Sequence, residues 1–218
     1  MSGPIVVASG GRSLEREASL RSGRHAGHAL EEMGYEVVHI DPDHSLVSRL
    51  REIQPSLVFI AMHGRGGEDG TLQDLLEILG IPYTGSNVHA SARCFDKQLF
   101  KKLLTDAGLD TPAWHSFNRE AFAEFGAGQT LVELTGQLGL PLVVKPVGQG
   151  SSLGIKFVHA PDDFNPAILS ALSYDDRVLI ERYVAGRELA VTVLGPSSAP
   201  EVLPVVEIAT AEPYYNFT

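Results

Sequence analysis

The sequence predicts an α/β region followed by an α+β region. Up to about residue 95, short β-branched runs alternate with segments of helical spacing, a pattern typical of a parallel sheet. From about residue 96 the apolar runs lie closer together and are joined by hairpin-like links, which indicates an antiparallel sheet. A chain of 218 residues is long enough for one or two domains. We therefore place a boundary near residues 93–96.

The first region is predicted to contain three strands separated by helices. Apolar, β-branched runs predict strands at 4–9, 35–41 and 56–62. Helical spacing, with glycines as stops, predicts helices at 14–34, 44–53, 71–80 and 88–108. The loop HGRGGEDG (63–70) follows the third strand, and open α/β sheets bind ligands at this end of their strands.

The second region is predicted to be an antiparallel sheet with a helix on one face. Apolar runs predict strands at 140–146, 154–159, 177–184, 188–195 and 203–209. The covering helix is predicted at 161–173, and GPSSAPE (195–201) has the composition of a hairpin turn or loop. We expect strands such as 188–194 and 202–208 to have an unpaired edge and an uncovered apolar face.

Composition excludes several classes of partner. The formal net charge is −10, with 17 Lys and Arg against 27 Asp and Glu, so a nucleic-acid-binding surface is not expected. One cysteine, Cys94, cannot form an intrachain disulfide, which favours a cytoplasmic protein. The sequence has no apolar run of about 18 residues and no signal-peptide pattern at its start, so we expect no membrane association.

The segment VVKPVGQGSSLGI is a candidate phosphate-binding loop. Backbone N–H groups of a glycine-rich turn can bind anionic oxygens, and Ser151 and Ser152 add hydroxyl donors. Lys145 adds a point charge that suits phosphate. The segment is not a Walker-type loop, because G-x-x-x-x-G-K-[ST] is absent. A plain hairpin connection, with glycine for turn geometry and serine for solubility, explains the same residues equally well.

Three further segments have both a structural and a functional interpretation. Glu15 begins a helix, where a carboxylate favours the helix dipole, but it could instead meet a cationic substrate group. His63 could bind a metal, although H-x4-E-D is not a standard metal-ligand spacing, or it could be a hydrogen-bonded loop histidine. The segment 179–189 could be a charged hairpin or a nucleotide cleft, with backbone groups near 182–184 for adenine and Glu188 for ribose.

Four segments, taken together, resemble the D-alanine–D-alanine ligases of the ATP-grasp superfamily. They are GGRSLEREASLRSG, HGRGGEDGTLQDLLEILGIPYTGSNVHASARCFDK, VVKPVGQGSSLGI and VLIERYVAGRELAVTVLG. The resemblance covers essentially the whole chain. It implies an N-terminal parallel-sheet (pre-ATP-grasp) substrate-binding domain at 1–95, a central ATP-grasp subdomain at 96–185, and the start of a C-terminal ATP-grasp subdomain at 186–218.

The resemblance implies ATP-dependent ligation of two D-alanines for peptidoglycan synthesis. ATP phosphorylates the carboxylate of one D-alanine, and the amine of the second attacks the acyl phosphate. ATP and Mg²⁺ are the implied cofactors, D-alanine and ATP the small-molecule partners, and a homodimer through the N-terminal domain is possible. Two alternatives stay open: a ligase that takes D-lactate or D-serine as second substrate, and a noncatalytic nucleotide-binding remnant.

The resemblance also implies roles for single residues. Glu15 matches the carboxylate that receives the first D-alanine's ammonium, and Ser151 the serine that orients substrate and closes the loop; both are the implied catalytic residues. Ala18 and His63 match positions beside the first substrate. The implied ATP-binding residues are Lys97, Lys145, Gly150, Ser151, Ser152, Gly154, Glu181, Arg182, Tyr183, Val184, Glu188 and Tyr214.

The sequence departs from the family pattern in several places. Arg182 stands where the family commonly has lysine, and Tyr183 where it often has tryptophan or phenylalanine. The family's Lys-Tyr loop pair, its oxyanion-stabilising arginine and its magnesium ligands have no counterpart in these 218 residues. We therefore expect no metal ligands in this sequence, and no useful turnover of ATP to dipeptide by a protein of this length alone.

Overall fold

A three-stranded parallel sheet forms the first part of the fold, as the alternation of strands and helices predicts. The computed structural model describes residues 3–126 and 131–209. Strands β1 (Ile5–Ala8), β2 (Val37–Ile40) and β3 (Leu57–Ile60) lie in the order β2–β1–β3. Three helices follow these strands in turn: α1 (Arg16–Glu32), α2 (Leu46–Ile53) and α3 (Thr71–Leu79). Because all three strands are parallel, their carboxyl ends meet at one edge.

Helix α1 packs on this sheet through small residues rather than through a large apolar stripe. Its buried positions are Ser19, Gly23 and Gly27, spaced four residues apart on one face. A Cβ at Gly23 would lie 2.4 Å from Cβ of Ser9, so only glycine allows this approach to the sheet. The Ser19 hydroxyl accepts from Gly10 N–H at 2.7 Å and donates to Ala61 O at 2.8 Å, which ties α1 to two strand ends.

The helix predicted over 88–108 is two helices, so this element of the prediction is wrong. Helix α4 (Val88–Phe95) ends and α5 (Lys97–Asp106) begins at Asp96, whose backbone is extended at φ −79° and ψ 103°. The Asp96 carboxylate caps α5 by accepting from Leu99 N–H at 2.9 Å, and it also pairs with Arg177 at 2.6 Å. Helical spacing continues through the break, which is why periodicity did not reveal it.

The second part is an antiparallel sheet covered by a helix, as predicted. Strands β4 (Trp114–Asn118), β5 (Leu142–Pro146), β6 (Lys156–Val158) and β7 (Arg177–Arg182) lie in the order β4–β7–β5–β6. Helices α6 (Arg119–Ala123) and α7 (Leu131–Leu138) precede β5 and were not predicted. Helix α8 (Phe164–Leu172) follows a 3₁₀ turn (Pro161–Asp163) and buries Phe164, Ile168 and Leu172 against the sheet.

The last described strands form two short antiparallel pairs. Strand β8 (Glu188–Ala190) pairs with β11 (Val206–Ile208), and β9 (Val193–Leu194) pairs with β10 (Glu201–Val202). Their apolar side chains are about half exposed, as the sequence predicts for an uncovered face; Val193, for example, is 57% exposed. The hairpin predicted near 195–201 joins β9 to β10. In the described ranges, no helix has the length and apolar character that crossing a membrane requires.

Two glycine substitutions test the close packing of α1. We expect Gly23→Ala to lower the free energy of unfolding by about 1–2 kcal/mol, because the new methyl group collides with Ser9. Gly136→Ala in α7 is the matched control: a Cβ there meets nothing within 4 Å, so the better helix former should stabilise by about 0.5–1 kcal/mol. Urea denaturation measures both changes in the free energy of unfolding. Changes of the same sign in the two variants would contradict the close packing of α1 on the sheet.

Candidate functional site

The carboxyl ends of β1 and β3 bring Glu15 and His63 into one site. The two loops are joined by the Ser13 hydroxyl, which donates to His63 O at 2.7 Å. A Cβ at Gly64 would lie 2.5 Å from Oε2 of Glu15, so glycine leaves the space beside that oxygen open. His63 is oriented at both ring nitrogens, by Ser22 Oγ at 2.9 Å and by Glu68 Oε1 at 3.3 Å.

Glu15 points towards the candidate phosphate loop. It is 5% exposed, and its side chain makes no capping hydrogen bond to α1. Instead Oε1 accepts a hydrogen bond from Ser151 Oγ, from a loop 136 residues further along the chain. Oε2 is buried and has no hydrogen-bond partner among the described residues. A buried carboxylate oxygen without a donor is costly, so this arrangement favours an added cationic or N–H group.

The loop between β5 and β6 has a backbone that suits anion binding. Ser151 and Ser152 have φ of +48° and +58°, a left-handed conformation that non-glycine residues adopt rarely and that concentrates at functional sites. Gly154 has φ +75° and lies where a Cβ would meet Tyr174 at 2.6 Å. A cavity of about 120 Å³ lies beneath the loop. Its lining includes Lys97, Lys145, Gly150, Ser151, Ser152 and Ile155.

Lys97 is the first residue of α5 and reaches this loop from below. Its ammonium donates to Gln149 O, and to Val147 O at 3.3 Å. Burial, followed by the nearby charge of Lys145, lowers the pKa of Lys97 from 10.5 to about 8. An anion bound between the two lysines would raise the pKa of Lys97 again, because its negative charge stabilises the protonated ammonium.

Lys145 is held by Glu181, which a second lysine also binds. Glu181 accepts from Lys145 at Oε1 and from Lys101 at Oε2, the latter at 2.7 Å. The side chains of Lys101 and Glu181 are only 7% and 11% exposed. Burial alone would raise the pKa of Glu181, but the charges of Lys145 and Lys101 outweigh burial and leave that pKa below its ordinary value. Glu181 is therefore an ionised carboxylate between the buried ammonium of Lys101 and the partly buried ammonium of Lys145.

The predicted adenine and ribose residues lie at and beyond the end of β7. The N–H groups of Arg182 and Tyr183 already donate to Ala113 O at 3.0 Å and Pro141 O at 3.1 Å. Of the N–H groups at 182–184, this leaves Val184 as the candidate donor to an adenine edge. The Arg182 guanidinium donates to Leu138 O at 3.0 Å, and Glu188 pairs with Ile208 in the β8–β11 ladder.

Two of the predicted positions, Ala18 and Tyr214, add less to this geometry. Ala18 is half-buried in α1, one turn after Glu15. Tyr214 lies outside the described residues. Across residues 3–126 and 131–209 no three His, Cys, Asp or Glu side chains gather into a metal-binding group, so these residues do not fit a Mg²⁺ site.

Several site residues were not found from the sequence. Lys101 lies one turn after Lys97, and this i, i+4 spacing could have indicated that both face the same site. The adjacent Lys102 is also a lysine but is exposed, so the residue type alone does not distinguish the two. Arg65 and Asp175 are paired at 2.6 Å across 110 residues. No local pattern relates two positions so far apart.

Comparison with known proteins identifies the family. Residues 103–218 match the family model described as "D-ala D-ala ligase C-terminus", and residues 45–86 match the "D-ala D-ala ligase N-terminus" model. The D-alanine–D-alanine ligase of Desulforudis audaxviator is 46% identical over 214 residues, which cover 98% of this chain and 68% of that protein. The ligase of Aquifex aeolicus is 44% identical over 98% of this chain and 69% of its own length.

Solved structures agree with the sequence relatives. The D-alanine–D-alanine ligase of Bacillus anthracis, solved in complex with ATP, superposes with a TM-score of 0.79 and 32% identity over 97% of this chain and 68% of that one. The fold therefore belongs to the ATP-grasp ligase class, as the sequence predicts. Within that class, the chain is a member of the D-alanine–D-alanine ligase family.

Two adjacent lysines test the buried charge cluster. We expect Lys101→Met to lower the free energy of unfolding by about 3 kcal/mol at neutral pH, because it removes one partner of a buried ion pair. The loss should shrink below the normal pKa range of a carboxyl group, where protonated Glu181 no longer needs the cation. Lys102→Met, at a side chain 67% exposed, should change stability by less than about 0.5 kcal/mol. Equal losses measured by urea denaturation would contradict the cluster.

Proposed function

We propose that this protein acts in the ATP-dependent ligation of two D-alanines through an acyl phosphate. The observation that supports this most directly is the buried Glu15 carboxylate, whose Oε2 has no hydrogen-bond partner among the described residues while Oε1 is bound by Ser151 of the phosphate loop. The Glu15 carboxylate thus offers one oxygen to a cation, while its other oxygen is bonded to a loop that suits phosphate. The chain spans 68–69% of the length of the two relatives named above, so the complete activity is part of the proposal.

The first D-alanine is proposed to bind between Glu15 and His63. Its ammonium would pair with Oε2 of Glu15 and restore the missing hydrogen bond. Gly64 and Gly150 keep this space open, because a Cβ at Gly64 would lie 2.5 Å from Oε2 of Glu15 and a Cβ at Gly150 would lie 3.0 Å from it. Ala18 would contact the substrate methyl group. Substrate bound here would place its carboxylate towards Ser151 and the phosphate loop.

The phosphates of ATP are proposed to bind between Lys97 and Lys145, under the loop of Gly150, Ser151, Ser152 and Gly154. The γ-phosphoryl group passes to the D-alanine carboxylate, which gives ADP and an acyl phosphate. The second D-alanine's amine then attacks the acyl carbon, loses a proton, and phosphate leaves. The lysines and loop donors offset the phosphate charge, and covering the site excludes water that would hydrolyse the acyl phosphate.

The remaining predicted roles complete this proposal. Glu181 and Val184 are proposed to face the adenine, Arg182 and Tyr183 to flank it, and Glu188 to bind the ribose. Mg²⁺ offsets phosphate charge during phosphoryl transfer in such enzymes, and the roles proposed for these residues do not depend on it. A role in peptidoglycan synthesis, a cytoplasmic location and a homodimer remain predictions from the sequence.

Replacement of Glu15 tests the proposed function. We expect Glu15→Gln to weaken D-alanine binding by at least about tenfold, the equivalent of one charge-assisted hydrogen bond, because the ammonium loses its counter-charge. Binding of a non-hydrolysable ATP analogue should change little. Isothermal titration calorimetry of the analogue into the free protein, and then of D-alanine into the analogue-loaded protein, measures the two affinities separately. Glu17→Gln, at an exposed position of the same helix, is the control. Wild-type protein that binds neither ligand, or a Glu15→Gln variant with unchanged D-alanine affinity, would contradict the proposal.

The pH dependence of nucleotide binding tests the role of Lys97. Its pKa of about 8 in the free protein means that raising the pH from 7 to 9 removes the proton from the ammonium. Bound phosphate should raise that pKa, so binding takes up a proton and the dissociation constant should rise by up to about tenfold per pH unit above 8. Lys97→Arg stays charged and should lose this dependence. An affinity that is the same at pH 7 and 9 in wild type would contradict the assignment.

A further inference from the structure

Arg65 links the loop that follows β3 to the start of the phosphate loop. It lies two residues after His63, and its Nη2 donates to Asp175 Oδ2 at 2.6 Å. Its Nε donates to Gly148 O at 3.1 Å. The guanidinium therefore makes one charge-assisted bond and one bond to the backbone of the loop, which fixes its orientation more firmly than a single ion pair would.

Asp175 makes this link part of the loop's own structure. Its side chain is only 7% exposed. Besides Arg65, it accepts from Gly148 N–H at 2.9 Å and from Arg177 N–H at 2.9 Å. Gly148 thus donates to Asp175 and accepts from Arg65, and these three residues form a closed ring of hydrogen bonds. A Cβ at Gly148 would lie 2.8 Å from Asp175 Oδ2, so the ring requires glycine there.

The phosphate loop is consequently held at two points by residues of the first part of the chain. Arg65 binds Gly148 at its start, and Glu15 binds Ser151 three residues later. Lys97 binds the intervening Gln149 carbonyl. The loop that carries Arg65 also carries His63 and Glu68, which are bonded to each other. A change at the proposed D-alanine pocket can therefore reach the phosphate loop through a short chain of direct bonds.

From these contacts we infer that Arg65 is a positioning residue that couples D-alanine binding to ATP binding. The inference rests on the proposed function, since both ligands come from it. D-alanine bound at Glu15 and His63 reduces the conformational freedom of the 63–70 loop. Because Arg65 of that loop is bonded to Gly148, the start of the phosphate loop is ordered as well. A loop already ordered needs less further ordering when ATP arrives, so each ligand raises the affinity for the other.

The test compares Arg65→Gln with wild type by two readouts. The first is amide hydrogen exchange over 148–154 in the ligand-free protein, which should be at least about fivefold faster in the variant because the ring is opened. The second is the ratio of the dissociation constants of a non-hydrolysable ATP analogue without and with saturating D-alanine. In wild type this ratio should exceed about five, within the usual range for coupled sites, and in Arg65→Gln it should fall towards one.

Arg119→Gln is a closely matched control. Arg119 is 51% exposed, as is Arg65, and it too binds one carboxylate, Asp176 at 2.9 Å, and one carbonyl, Leu172 O at 2.5 Å. These contacts all lie within the second part of the chain, so the control should leave both readouts at wild-type values. Arg65→Lys, which keeps the charge but not the fork of donors, should give intermediate values.

The outcomes separate this inference from the proposed function. Faster exchange together with a lost affinity ratio supports the inference. Unchanged exchange overturns it, and so does faster exchange with an unchanged ratio, since Arg65 would then support the loop without coupling the ligands. A wild-type ratio of one also overturns it while the proposed function stands. Wild-type protein that binds no nucleotide contradicts the proposed function and the inference with it.

Discussion

The site is organised by three lysines of an otherwise acidic protein, of which Lys101 is buried and Lys97 and Lys145 are partly buried. The chain carries a formal net charge of −10, yet Lys97, Lys101 and Lys145 gather where β5, β7 and α5 meet. Removing an ammonium from water is costly unless a carboxylate compensates it. Glu181 supplies that charge to Lys101 and Lys145, whereas Lys97 binds the carbonyls of Val147 and Gln149. The cluster is left with a site for one more anion, which is what a phosphate-binding site requires.

The same constraint explains why strand β7 is central to the second sheet. Its middle residues Val178, Leu179 and Ile180 are fully buried, which fixes the position of Glu181 at the strand's end. Asp175, just before the strand, fixes Gly148 at the start of the phosphate loop. Packing of the apolar strand β7 therefore positions the Glu181 carboxylate beside the lysines and the Asp175 carboxylate beside the phosphate loop. The left-handed serines of the loop are maintained because neighbouring contacts determine their conformation.

The contact between Glu15 and Ser151 has a further consequence for the fold. Glu15 belongs to the loop after β1, and Ser151 belongs to the loop between β5 and β6 of the antiparallel sheet. Neither the parallel sheet nor the antiparallel sheet holds the site alone. The proposed substrate pocket and the proposed phosphate loop are thereby built on separate cores, and Glu15 of one contacts Ser151 of the other.

Much of this architecture could be predicted from the sequence, and the exceptions have physical reasons. β-branched runs predicted the strands because burial in a sheet selects such residues locally. The break at Asp96 was missed because helical spacing continues on both sides of it, although Asp is a common N-cap. The family resemblance implied that Glu15 and Ser151 both bind substrate, but their direct hydrogen bond was not predicted, since no spacing relates residues 136 positions apart. Arg65 and Asp175 were missed for the same reason, because their pairing depends on how two separately folded parts meet.

One anion near Lys97 and Lys145 and one cation at Glu15 are expected to complete the charges of this site. The most direct measurement is a crystal structure of the protein with a non-hydrolysable ATP analogue and D-alanine. This charge arrangement predicts phosphate oxygens between Lys97 and Lys145 and the D-alanine ammonium within hydrogen-bonding distance of Oε2 of Glu15. A nucleotide bound away from the two lysines, or a D-alanine that leaves Oε2 without a partner, would contradict it.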